Sequence, residues 1–243
     1  MTVPVPTPPD LLRSVVVTGV ARPGQLGDVI ARAFAARGAH VSIVARSIAD
    51  ATARATEMRA AGLDVFPYAC DLSDPAATAT LARDVTANAG GVDALVNAAG
   101  GFAMSGPVAD SDPAVLTRQI AINLGTAYTT TRAFLPALRA SRGAVVFVAS
   151  AAALPTAQIR NAFAYAIAKG GVVTLMHAVA QEERVNGVRA NAVAPGTVRT
   201  RANAATLPPN TRFVEPESIA STIVFLCSGA ASQVSGQVIE FAP

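Results

Sequence analysis

The segment 150–169, SAAALPTAQIRNAFAYAIAK, holds Ser150, then Tyr165, then Lys169 four residues further on. With helix from Asn161 onward, Tyr165 and Lys169 share one face, a turn apart. An ammonium near a phenol favours the phenolate and draws its pKa below the ordinary value of about 10. The expectation is therefore a proton donor usable near neutral pH. A nearby serine hydroxyl can hydrogen-bond a substrate carbonyl. Taken alone, Tyr-x-x-x-Lys on an amphipathic helix is more often a core tyrosine and a surface lysine. The rest of the chain changes that weighing.

Short β-branched and apolar runs alternate with helical spacing along the whole sequence. Strands are expected at 14–18, 40–45, 64–68, 94–97, 144–149, 188–193 and 237–241. Helices are expected at 28–37, 48–61, from about 75 to 89, at 161–184 and at 216–227. Two further helices are expected within 112–141, the second beginning near Asn123. An irregular, proline-containing loop is expected over 197–213. Continuous apolar strands that alternate with helices point to a parallel sheet covered on both faces. Ligands of such sheets bind at the carboxyl ends of the strands. Those ends carry, in order, Gly19, Arg46, Asp71, Asn97, Ser150 and Pro195.

Composition narrows the class. The chain has 243 residues, 51% of them hydrophobic and 14% charged, so it can bury a large core as one domain over 1–243. No apolar run is read as reaching the roughly 18 residues of a membrane span. Residues 1–12 read as a proline-rich tail, not as a signal peptide. Cys70 and Cys227 lie far apart and outside any metal-ligand spacing, which suggests two reduced core thiols in a cytoplasmic protein. The net charge of +3 is spread over scattered arginines, with no basic stripe to suggest nucleic acid. His40 and His177 read as structural, and no metal site is expected.

Taken together, these positions resemble the short-chain dehydrogenase/reductase family in its compact form. The likeness runs from about Leu12 to the end of the chain. It rests on Thr18-Gly19 with Gly27, Asp71, Asn97-Ala98-Ala99-Gly100, Asn123, Ser150, Tyr165-x-x-x-Lys169, and 188–200, VRANAVAPGTVRT. The last run is the most specific. The resemblance implies a Rossmann-type, doubly wound α/β fold of about seven strands in three αβα layers. It implies reversible hydride transfer between a nicotinamide and a carbonyl or secondary alcohol carbon, in the manner of 3-oxoacyl-thioester reductases.

The same resemblance assigns roles. Tyr165 donates the proton, Lys169 holds the nicotinamide ribose and lowers the phenol's pKa, and Ser150 polarises the carbonyl. Asn123 holds a water that relays protons from Lys169; its competing reading is a helix N-cap. Gly19, Gln25 and Leu26 form the glycine loop, whose helix N-terminus faces the pyrophosphate. That loop is about two residues longer than the family pattern, with Gln25 where a glycine is expected. Asp71 accepts from the adenine amino group and Leu72 packs on the ring, although Asp71 also fits a plain helix-start acid. Asn97, with Ala98 beside it, braces the sheet, and Gly100 lets the backbone approach the ribose. Pro195, Gly196 and Thr197 wrap the carboxamide, followed by Val198, and Thr200 reaches the pyrophosphate. After the second strand stands Arg46 in place of an acid, which resembles NADP(H)-preferring more than NAD(H)-preferring members; Arg22 adds a second positive group. The family also implies a homotetramer or homodimer, with no nucleic acid or membrane partner. Two rivals stay open: a non-catalytic NADP(H)-binding protein on this fold, and an enoyl-thioester reductase, although enoyl reductases space the tyrosine and lysine more widely.

Overall fold

The computed structural model describes residues 12–242. Apart from Leu12, the proline-rich tail expected over 1–12 lies outside the described residues, as does Pro243. Seven parallel strands form one sheet in the order β3-β2-β1-β4-β5-β6-β7. They are β1 (Ser14–Thr18), β2 (His40–Ala45), β3 (Val65–Ala69), β4 (Ala94–Asn97), β5 (Ala144–Val148), β6 (Arg189–Pro195) and β7 (Val238–Phe241). Strand order reverses between β1 and β4, the switch point where a crevice opens at the carboxyl ends. This is the three-layer αβα Rossmann-type fold that the sequence implies.

The inner strands β1, β2, β4, β5 and β6 are buried on both faces, which favours apolar runs, while the edge strands β3 and β7 are only partly covered. Alternate residues of each strand enter opposite cores. Val15, Val17, Val96 and Val146 pack with Ile30, Phe34 and Ile223 of α1 (Leu26–Ala35) and α8 (Pro216–Cys227). Val16, Leu95, Val145 and Phe147 face the other way, toward Phe134, Leu138 and Met176 of α5 (Thr126–Ser141) and α6 (Phe163–Glu182). Fully burying side chains of this size contributes about 1.5–3 kcal/mol each. Cys70 and Cys227 are free and buried within these cores. Burial pushes the Cys227 thiol up to about 12.

Several local expectations need correction. The first helix begins at Leu26, not at residue 28. The helix carrying Tyr165 begins at Phe163, because Asn161 sits in the left-handed region at φ 61° and turns the chain there. Its far end is held by a two-pronged ion pair from Arg139 to Glu183, at 2.6 and 2.8 Å. The stretch 112–141 is not two helices meeting near Asn123. A π-helical segment, Ile120–Gly125, joins α4 (Pro113–Gln119) to α5 without a break, so the N-cap reading of Asn123 falls. The loop 197–213 contains a short helix, α7 (Arg201–Thr206). The stretch Phe163–Asn186, of mean hydropathy 1.4, is long and apolar enough to cross a membrane by length and composition. It packs here against β5, β6 and the π-helical segment, and its apolarity serves the core.

One hydroxyl fixes the switch point. Thr18 Oγ1 accepts from the N–H groups of Ala98 and Ala99, each at 3.0 Å, and donates to the Val96 carbonyl at 3.3 Å. It thereby locks the turn after β4 against the end of β1. Replacing it by valine keeps the shape but leaves the part-buried Ala99 N–H without its partner, while Ala98 N keeps the Val96 carbonyl at 3.1 Å. Thr18→Val is expected to lower unfolding free energy by about 1–3 kcal/mol in urea denaturation.

Candidate active site

Lys169 is the most buried charged group of the site, 5% exposed. The α6 backbone carries it under the end of β5, where its Nζ donates to the Val148 carbonyl at 2.7 Å. Burial disfavours the ammonium and brings its pKa down from 10.5 to about 8. One turn earlier, Tyr165 lies with its ring centroid 5.8 Å from that Nζ. Phe102 meets the Tyr165 ring edge-on, centroids 5.1 Å apart at 83°. Burial raises the phenol pKa, and a hydrogen bond with Ser150 pulls it partly back. The expectation of a phenol made acidic by its lysine is therefore not met in the protein alone: desolvation raises it, and the opposing pull comes from Ser150. Ser150 closes β5, and its Oγ also accepts from Ala152 N at 3.2 Å.

Asn123 reaches the same place from the π-helical segment. Its Nδ2 donates to the Gly101 carbonyl at 3.0 Å and to the backbone and side-chain oxygens of Gln119, both at 3.1 Å. Its Oδ1 accepts from Gly101 N at 3.2 Å. The extra residue in the π turn releases the Gln119 carbonyl from the usual ladder, so the side chain can take it. Asn123 thus pins the segment after β4 beside Lys169. A Cβ on Gly100 would stand 2.4 Å from Asn123 Oδ1 and 3.5 Å from Lys169 Nζ, so a side chain there has no room. Neither Gln119 nor the Gly101 anchor was read from the sequence. Gln119 stands four residues before Asn123, a helical spacing that could have flagged it.

The glycine loop is intact in form despite its length. Gly19 has φ +79°, and a Cβ there would lie 2.8 Å from Ala99 Cα. A Cβ on Gly27 would lie 2.7 Å from the Gly19 carbonyl oxygen. Gln25 is the N-cap of α1 but makes no side-chain capping bond, which leaves the helix N-terminus available to an anion. Leu26 begins the helix. The extra residues lean outward: the Gly24 carbonyl accepts from Arg201 N at 3.2 Å, and Gly24 N donates to Asp28 at 3.1 Å. The lengthened loop therefore touches the start of α7.

At the ends of β2 and β3, a cleft of about 630 Å³ is lined by Arg46, Cys70, Asp71, Asp74 and Leu81, among others. Arg46 is exposed there. Ser73 donates to Asp71 from its hydroxyl and its N–H, and these bonds, with Arg46 nearby, hold the carboxyl below its ordinary range. Leu72 is buried, its carbonyl taking the Thr129 hydroxyl. Asn97 donates to Thr131 at 2.9 Å and so braces β4 against α5, while its Oδ1 is buried without a partner among the described residues. Pro195 pairs with Phe241, and Gly196 N donates to the Phe241 carbonyl at 2.9 Å. Val198 bridges Val214, and Thr200 caps α7 through Asn203 N at 3.2 Å. His40 stacks on Phe66 away from these groups.

These features make an uncapped helix N-terminus, a buried amine and a shielded phenol along one crevice, a frame that fits a nicotinamide dinucleotide. The model of a family described as Enoyl-(Acyl carrier protein) reductase matches residues 19–241. The chain belongs to the short-chain dehydrogenase/reductase family. A cis-4-hydroxycyclohexanecarboxylate dehydrogenase of Sinomonas cyclohexanicum is 36% identical over 240 residues, 93% of this chain and 94% of its own. A galactitol 2-dehydrogenase of Rhizobium johnstonii is 33% identical, covering 93% of this chain and 91% of its own. Among solved structures, a 7 alpha-hydroxysteroid dehydrogenase complexed with NADH and 7-oxo glycochenodeoxycholic acid matches at a TM-score of 0.85 and 27% identity, covering 94% of this chain and 92% of its own. This short-chain dehydrogenase/reductase is accordingly an NAD(P)(H)-dependent oxidoreductase.

The buried amine gives a stability prediction. Between pH 8 and 10.5 the unfolded chain holds the Lys169 proton and the folded chain does not, so this group's contribution to stability rises with pH in that window. Below pH 8 the folded state bears the full cost of the buried charge. The melting temperature of Lys169→Met, measured against the parent protein, is expected to be relatively highest at pH 7. That difference should shrink steadily toward pH 10.5.

Proposed function

We propose that the protein is an NADP(H)-preferring reductase of ketones or 3-oxoacyl compounds, acting reversibly on the corresponding secondary alcohols. The observation that carries this reading is the convergence of Ser150, Tyr165 and Lys169 at the carboxyl end of β5. When bound, the nicotinamide supplies or accepts the hydride. In reduction, the substrate carbonyl oxygen lies between the Ser150 and Tyr165 hydroxyls. Ser150 donates a hydrogen bond that stabilises charge building on that oxygen. Tyr165 passes its proton to the developing alkoxide. A phenol raised by burial holds that proton at neutral pH, as an acid must. Lys169 stabilises the phenolate left behind and holds the ribose hydroxyls, and Asn123 orders the water that returns a proton.

The cofactor preference rests on the end of β2. Ala45-Arg46-Ser47 offers no carboxylate to the ribose hydroxyls, and Ser47 is engaged as the cap of α2 (Ile48–Ala60), accepting from Asp50 N. An exposed guanidinium there suits a 2′-phosphate bidentately. The names of the similar proteins range over hydroxy acids and sugar alcohols, and a secondary alcohol is what those substrates share. A homodimer or homotetramer is supported by Tyr128 and Ile167, both about half exposed on α5 and α6. Gly170 faces open space beside them, whereas Gly171 is used within the chain, against Leu124. The enoyl reading draws on the description of the matching family; reduction of an enoyl but not an oxoacyl thioester would establish it in place of ours.

Tyr165→Phe is expected to lower kcat at least a hundredfold in initial-rate assays, with the Kd for NADPH changed less than threefold; comparable turnover would remove the tyrosine from the mechanism. Arg46→Ala is expected to lower the NADPH-over-NADH ratio in kcat/KM by about tenfold to a hundredfold, since charge-assisted bonds contribute about 1.5–3 kcal/mol.

A further inference from the structure

Three segments follow the carboxyl ends of the site strands: 101–107 after β4, 151–162 after β5, and 197–213 after β6; the first packs on Tyr165 through Phe102 and bonds to the second through Ser105 and Asn161. Together they contain four arginines and neither aspartate nor glutamate. Their large apolar side chains face outward, with Phe102 61%, Met104 59%, Ile159 41% and Leu207 38% exposed. An apolar rim that carries only positive charge favours an anion attached to an apolar body.

The four arginines are not equivalent. Arg199 is committed to Glu215 at 2.7 Å and stacks on Phe213 at 4.6 Å. Arg212 has interactions of its own. Arg201 is rooted beside the glycine loop, its N–H on the Gly24 carbonyl at 3.2 Å, on the cofactor side. Arg160 is exposed and has no hydrogen-bond or ion-pair partner among the described residues. Its backbone is nonetheless held firmly. Ala162 N donates to the Ile159 carbonyl at 2.9 Å, closing a turn around it. The next carbonyl, that of Asn161, accepts from Ser105 N at 2.8 Å and Ser105 Oγ at 3.1 Å. Those bonds tie the segment to the one that carries Phe102, the ring packed on Tyr165. A fixed backbone with an unspent guanidinium is a pre-organised binding group.

We propose that Arg160 recognises a carboxylate on the substrate. The substrate is then an oxo acid or its hydroxy counterpart, with apolar carbon between the carboxylate and the reacting carbon. Arginine's planar fork pairs with both carboxylate oxygens, while Phe102, Met104 and Ile159 cover the hydrocarbon. This assignment rests on the carbonyl-reductase reading above and adds the substrate class to it.

The test uses the purified full-length protein with NADPH. The panel is acetoacetate, levulinate and 4-oxocyclohexanecarboxylate, each beside its methyl ester, with acetoacetyl-CoA as a further arm. At least one acid is expected to exceed its ester tenfold or more in kcat/KM. In Arg160→Gln that acid-over-ester ratio should fall at least tenfold, through KM more than kcat, and Arg160→Lys should recover part of it. The melting temperature of each variant checks folding. Equal use of acids and esters overturns the inference but leaves the reductase reading standing. So does an equal loss for both in Arg160→Gln, or turnover of acetoacetyl-CoA alone. If no carbonyl compound is reduced, the reductase reading falls and the inference with it.

Discussion

The site depends on one costly placement, the amine of Lys169 buried beneath the end of β5. A lysine this enclosed has lost most of its hydration, and its pKa falls to about 8 in consequence. Of its three donors, one is met by the Val148 carbonyl. The surroundings are arranged to leave space for the others. Gly100 has no side chain because Asn123 and the amine occupy the room one would need. Asn123 in turn takes its position from the π turn, which turns its carboxamide onto Gly101 and Gln119. The buried amine therefore sits enclosed by the end of β5, Gly100 and Asn123, with one donor met by the Val148 carbonyl.

The phenol follows from the same burial, with the opposite sign. Enclosure that lowers the lysine raises the tyrosine, because both shifts disfavour charge. In the protein alone, Tyr165 is therefore a protonated acid beside a lysine that titrates closer to neutrality.

Much of this was legible in the sequence, and the reasons differ by element. The inner strands were legible because burial on both faces favours apolar runs. The helix at 216–227 was legible because Pro216 marks its start and Ser228 follows its end. The strand-end residues followed from topology once the alternation of strand and helix was recognised. What stayed hidden depends on contacts between distant segments. Helical pattern alone could not distinguish two helices near Asn123 from one helix with a π turn. The late start of α6 hinges on Asn161 meeting Ser105, 56 positions away. The direction of the Tyr165 shift was misread because spacing reveals the lysine but not the desolvation. The expectation that no apolar run reaches span length also missed the stretch 163–186, which matches a membrane span in length and composition, as a core helix can.

The most direct test of this account is a fluorescence titration with NADPH repeated from pH 7 to pH 10. A cofactor gripped by the Lys169 ammonium should bind most tightly below pH 8. Affinity should weaken as the amine loses its proton above that value, because binding favours the protonated form. The expected result is saturable binding at pH 7 with a Kd that rises progressively beyond about pH 8. Absence of binding, or an affinity that stays flat across the whole range, would contradict the role given to Lys169.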